Sequence, residues 1–196
     1  MELPAGCPIL FTALLAVSFS VAVSGQEDIC PGVISREKWG GRVPKRIEYM
    51  VIPLPYVIIQ HTATPKCTSM EECTDRVRSI EADHMNNNGW DDIGPSFLIG
   101  GDGNVYEGAG WLHQGAHTRG YNKKSVGIML IGNFGDSLPV RPQMEALKKL
   151  IECGEKQGLL AEDYKLLAHR QVSATQSPGL ALFQEIQTWP AWSPRP

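Results

Sequence analysis

His169-Arg170-Gln171-Val172-Ser173-Ala174-Thr175-Gln176-Ser177-Pro178-Gly179, near the end of a 196-residue chain, is the stretch on which the reading turns, taken with His61-Thr62-Ala63 far upstream. The upstream histidine closes Tyr56-Val57-Ile58-Ile59-Gln60-His61, a β-branched, apolar run bounded by Pro55 and the Thr64-Pro65 turn. That composition reads as a buried strand. A strand end is where an α/β protein usually places its chemistry. A lone histidine is still weak evidence of a site.

Working outward, residues 70–85 read as a helix with Val77, Ile80 and Met85 inward, ended by the turn chemistry of Asn86-Asn87-Asn88-Gly89. Phe97-Leu98-Ile99-Gly100 and Asn104-Val105-Tyr106-Glu107 read as two strands joined by Gly101-Asp102-Gly103, a hairpin signal. Residues 126–132 form another buried strand. Residues 143–158 form a helix with Met144, Leu147, Leu150 and Ile151 on one face, and residues 180–189 a last helix closed by Pro190. This order predicts an α/β fold, a mixed central β-sheet flanked by about three helices.

The length suits a single domain with an ordinary core. A formal net charge of −3 and the lack of any Lys/Arg run argue against nucleic acid or an anionic membrane as main partner. The apolar run 8–23, followed by Ser24, Gly25 and the polar Gln26-Glu27-Asp28, reads as a secretory signal. It is shorter than the roughly 20 apolar residues of a membrane span, so no membrane insertion is expected. Residues 1–25 are therefore assigned to the signal and residues 26–196 to one secreted, extracellular domain. Cleavage removes Cys7 and leaves Cys30, Cys67, Cys73 and Cys153, most simply two disulfides with three connectivities open. No Cys-x-x-Cys pair supports a zinc cluster instead.

The two histidine segments resemble the zinc-binding segments of the peptidoglycan recognition proteins and of their relatives, the phage amidase-type lysozymes. In the hydrolytic members zinc is held by histidines matching His61 and His169 and by a cysteine eight residues after the second. Here that residue is Ser177. A serine hydroxyl is neutral at pH 7 and replaces a soft, charged thiolate, so the third ligand is lost. The hydrolases also carry a tyrosine in a Gly-Tyr-x-Phe stretch; this chain has Gly94-Pro95-Ser96-Phe97 there. Proline brings no hydroxyl to the site. The resemblance implies a member that has stopped cleaving: no catalytic residues, no cofactor, and His61, His169 and Ser177 as a vestigial metal site.

The resemblance covers residues from about Cys30 onward and implies the family fold, the type-2 N-acetylmuramoyl-L-alanine amidase fold. It selects the pairings Cys67–Cys73 and Cys30–Cys153. It places His61, Thr62, His84, Gly89, Trp90, His117, Thr118 and His169 along a cleft for the muramyl-peptide of bacterial wall. Gly89-Trp90 is the form associated with diaminopimelate in the stem peptide. The implied function is that of a secreted, innate-immune and antibacterial pattern-recognition protein that binds peptidoglycan without cleaving it. The alternative is a zinc-dependent amidase with altered metal ligands, and a third possibility is an interaction protein that keeps the fold but uses another face.

Overall fold

The computed structural model describes residues 30–196. The expected signal, residues 1–25, lies outside the described residues.

The β-branched runs form the centre of a six-stranded sheet. In chain order its strands are β1 (Val33–Ile34), β2 (Leu54–His61), β3 (Phe97–Ile99), β4 (Val105–Glu107), β5 (Ser125–Leu130) and β6 (Leu160–Ala168), arranged β1-β4-β3-β5-β2-β6. All neighbours are parallel except the β3–β4 hairpin, so the sheet is mixed as expected. Side chains alternate across each strand and divide the core in two. Val57, Ile59, Phe97, Ile99, Val105, Val126, Ile128 and Leu130 share one cluster with α3 (Arg141–Lys156) and α5 (Leu180–Ile186). Leu98 and Tyr106 point the other way, onto Trp39 of α1 (Arg36–Trp39) and Val77 and Ile80 of α2 (Met70–Ala82). With α4 (His169–Val172) there are five α-helices among the described residues rather than about three. The two extra ones, α1 and α4, are single turns of 4 residues, too short to leave a periodic signal.

Two further departures bear on the site. The helix expected over residues 70–85 is α-helical only to Ala82 and then widens into a π-helical turn, Asp83–Asn87. Strand β6 is absent from the sequence expectation because Glu162, Asp163 and Lys165 interrupt its apolar pattern. It pairs with β2 in the register Ile59↔Ala168, which brings His61 and His169 to neighbouring strand ends. Both disulfides form with the pairing implied by the resemblance, Cys30–Cys153 and Cys67–Cys73. Among the described residues no helix is long and apolar enough to cross a membrane.

Candidate functional site

The site grows from the carboxyl ends of β2 and β6. His61 is the last residue of β2, and its backbone N–H donates to Ser177 Oγ at 3.0 Å. Its ring Nδ1 accepts the Phe134 N–H at 3.3 Å, which fixes the imidazole against the loop after β5. Thr62 continues the strand direction: its N–H donates to the Leu130 carbonyl at 3.0 Å, and its hydroxyl accepts the Gly132 N–H at 3.0 Å. His169 opens α4 directly after β6. The loop beyond it is closed by an Arg170 N–H to Ser177 carbonyl bond of 2.8 Å. Gly179 ends this loop at φ 95°, and a Cβ there would come within 2.3 Å of the Phe134 backbone, so only glycine lets the loop approach.

A second group forms the opposite wall. In the π-helical turn the Asn88 N–H reaches back to the Asp83 carbonyl at 3.1 Å, and the freed His84 carbonyl accepts the Trp90 N–H at 3.0 Å. That bond draws the Trp90 ring onto the His84 ring, 4.7 Å between centroids. His84 Nδ1 accepts the Gly94 N–H at 3.0 Å. Gly89 provides the turn between them at φ 69°. Gly89 and Trp90, with Arg46, Glu48 and Gln114, line a cavity of about 310 Å³. A larger one of about 460 Å³, between α3 and the C-terminal segment, involves none of the expected site residues.

Buried polar groups join the two walls. Gln60, one residue before His61, is fully buried; its Nε2 donates to Thr118 Oγ1 at 2.9 Å and lies 3.3 Å from His117 Nδ1. The His117 and Thr118 N–H groups both donate to Asn122 Oδ1, at 3.0 and 2.7 Å. The His117 ring lies flat on Gly127 of β5, where a Cβ would meet it at 2.3 Å. Gln60 and Asn122 were not among the expected site residues. A single amide inside an otherwise apolar strand was the signal available for Gln60.

Burial lowers the pKa of every histidine at the site. His117, the most deeply buried, is brought down to about 4, with His169 nearby reinforcing the shift and the Ser125 backbone opposing it. Desolvation likewise lowers His61; it lowers His169 with a further contribution from His61, and it lowers His84 against the opposing charge of Asp83. Neutral imidazoles beside threonine hydroxyls and backbone amides suit hydrogen bonding to sugar hydroxyls and peptide amides.

The same residues fit a zinc ion poorly. His61 and His169 are adjacent, but the third position is the neutral hydroxyl of Ser177, which already accepts the His61 N–H. Among the described residues no group of three or more His, Cys, Asp or Glu side chains is placed to hold a metal ion. Pro95 is buried, and its carbonyl accepts the Ala109 N–H at 3.0 Å. The site thus brings together His61, Thr62, His169 and Ser177 in one group and His84, Gly89 and Trp90 in another. His117 and Thr118 lie between them.

Residues 51–180 match the family described as N-acetylmuramoyl-L-alanine amidase. Peptidoglycan-recognition protein 2 of Holotrichia diomphalia is 45% identical over 187 residues, spanning 95% of this chain and 98% of its own. The X-ray structure of bumblebee PGRP-SA is 51% identical with a TM-score of 0.83, covering 85% of this chain and 100% of that one. A structure of peptidoglycan recognition protein-LE in complex with tracheal cytotoxin, a monomeric diaminopimelic acid-type peptidoglycan, is 39% identical with a TM-score of 0.81. That match covers 82% of this chain and 95% of the other.

Proposed function

The chain belongs to the peptidoglycan recognition proteins, and on that premise we propose that it is a secreted protein that binds the muramyl-peptide of bacterial peptidoglycan without cleaving it. The carrying observation is Ser177, which stands where the family hydrolases have their cysteine and spends its hydroxyl on the His61 backbone. Binding uses what the cleft retains. The neutral imidazoles and the Thr62 and Thr118 hydroxyls meet sugar and peptide polar groups, and the Trp90 face packs against the stem peptide. The Gly89-Trp90 pair favours diaminopimelate-type stems in this reading. The crystallised relative bound to tracheal cytotoxin supports a ligand of that class.

The second reading, a zinc amidase with altered ligands, draws on the adjacency of His61 and His169, both kept neutral by burial. One experiment separates the two. Purified protein is incubated with insoluble peptidoglycan of diaminopimelate and of lysine type; binding, peptide release and zinc content are read on the same sample. The expected result is sedimentation with the wall, preferentially the diaminopimelate type, without stoichiometric zinc and without released peptide. Failure to sediment with either wall overturns the proposal, and zinc-dependent peptide release moves the chain to the amidase reading. A Ser177→Cys, Pro95→Tyr double variant is expected to gain about one zinc per chain and measurable peptide release.

A further inference from the structure

Gln60 interrupts the apolar run of β2 one residue before His61, and its side chain is fully buried. A buried amide destabilises the fold unless it is hydrogen-bonded, so its partners decide what it does. Its Nε2 lies 2.9 Å from Thr118 Oγ1 and 3.3 Å from both the carbonyl oxygen and the Nδ1 of His117. A carbonyl oxygen can only accept, so it fixes the amide with its NH2 group towards residues 117 and 118. The reversed amide would set Oε1 against that oxygen.

With the amide so oriented, the other hydrogens follow. Gln60 donates one to Thr118 Oγ1 and one to the His117 carbonyl. Thr118 Oγ1 lies 3.1 Å from His117 Nδ1 and has no further partner among the described residues, so it donates its own hydrogen to Nδ1. Nδ1 is then an acceptor, and in a neutral imidazole the proton sits on Nε2. The opposite tautomer would leave the Thr118 hydrogen unpaired at a residue only 2% exposed. Burial keeps the ring neutral at pH 7.

The oriented ring lies on Gly127 of β5, where a Cβ would come within 2.5 Å of Nδ1. The residues just before it belong to the binding wall. Gly115 and Ala116 line the 310 Å³ cavity together with Gly89 and Trp90, and the Ala116 N–H donates to the Gly94 carbonyl at 2.7 Å.

We propose that Gln60 is a positioning residue of the cleft: through Thr118 it locks His117 in the Nε2–H tautomer, and the locked ring latches residues 115–118 onto β5 beside Gly89 and Trp90. The latch is a property of the free chain. Its consequence for ligand affinity rests on the peptidoglycan reading.

Long-range 1H–15N correlation spectra of the histidine rings, taken on the ligand-free protein at pH 7 and assigned with His117→Gln, read the tautomer directly. The expected wild-type pattern has His117 protonated on Nε2 and bare on Nδ1. Gln60→Glu keeps the size but turns the donor face into an acceptor, so His117 should then carry a proton on Nδ1. The amides of His117 and Thr118 should exchange at least about tenfold faster in that variant. Thr118→Val removes the hydroxyl of the relay and should also end the exclusive Nε2–H state, which keeps the test open where Gln60→Glu does not fold. In calorimetric titration, soluble muramyl-peptide should bind Gln60→Glu about tenfold more weakly than wild type. Wild type with Nδ1 protonated, or with a mixture of tautomers, overturns the proposal. So does either folded variant with an unchanged tautomer, or a changed tautomer that leaves amide exchange as in wild type. Wild type with the expected tautomer that binds no muramyl-peptide overturns the peptidoglycan reading alone, the latch then standing on the spectra and the exchange rates.

Discussion

At the scale of single residues, charge state and hydrogen-bond roles at the site follow from burial. His117 takes up a proton near pH 6.5 in the unfolded chain and only near 4 when folded. Between those values the unfolded state binds more protons, so folding stability rises with pH across that window. His117's contribution is complete above about pH 6.5 and is lost as pH falls towards 4, by up to about 3 kcal/mol. Urea unfolding at pH 7, 5.5 and 4.5 should show wild type losing more stability than His117→Gln on acidification, by an amount approaching that figure. Equal losses in the two proteins would mean that the ring protonates without opening the fold. Ser177 has a comparable dependence on context. Its hydroxyl accepts the His61 backbone N–H, so the residue helps to shape the cleft.

At the scale of elements, a one-turn helix holds one wall of the cleft in place. Arg36 of α1 grips Asp92 with two nitrogens at 2.6 and 2.8 Å, donates to the Gly108 carbonyl at 2.7 Å and lies 3.6 Å from the buried Glu81. Asp92 follows Gly89-Trp90-Asp91, so the fork ties that loop to α1 and α2. Lysine keeps the charge but not the two-nitrogen geometry. Arg36→Lys is expected to cost about 2 kcal/mol. It should also weaken binding of soluble muramyl-peptide, with faster amide exchange in residues 89–93. Calorimetric titration together with hydrogen exchange checks this; unchanged exchange in the loop would refute the role given to α1. The π-helical turn works alongside it: one carbonyl released from the α-helical pattern, that of His84, is what anchors Trp90.

At the scale of the whole molecule, the two disulfides stabilise very differently. Cys30–Cys153 joins residues 123 apart and ties the start of the described chain to α3, whereas Cys67–Cys73 spans only 6. The loop-closure entropy removed from the unfolded chain grows with loop length, giving about 5 kcal/mol for the long loop against about 2 kcal/mol for the short one. Paired Cys→Ala variants compared by urea unfolding should keep that order. A larger loss from Cys67/Cys73 would indicate that the short bridge acts through the folded state, where both sulfurs pack in the second core cluster.

Much of the architecture was legible in the chain itself. The apolar run into His61, the Gly-Asp-Gly hairpin and the periodic faces of α2 and α3 rest on local patterns, because burial on one face repeats at the spacing of the element that carries it. Strand β6 was not legible, since its outward charges mask the alternation. Nor were α1, α4 and the π-helical turn, which are too short for periodicity or depend on contacts with Asp92 and Trp90. Among the site residues, the histidines, Gly89-Trp90 and Ser177 could be named from motif positions. Gln60, Asn122 and Arg36 could not, because each acts through a partner at least 56 residues away or through a turn that the fold itself creates. By itself the sequence determined the family, the strand that ends in His61 and the residue types available at the site. Only the tertiary structure decided that His61 and His169 stand side by side, that Ser177 spends its hydroxyl on a backbone N–H, and that burial keeps the imidazoles neutral. Those outcomes depend on distances between distant parts of the chain and on exclusion of water, and packing alone sets both.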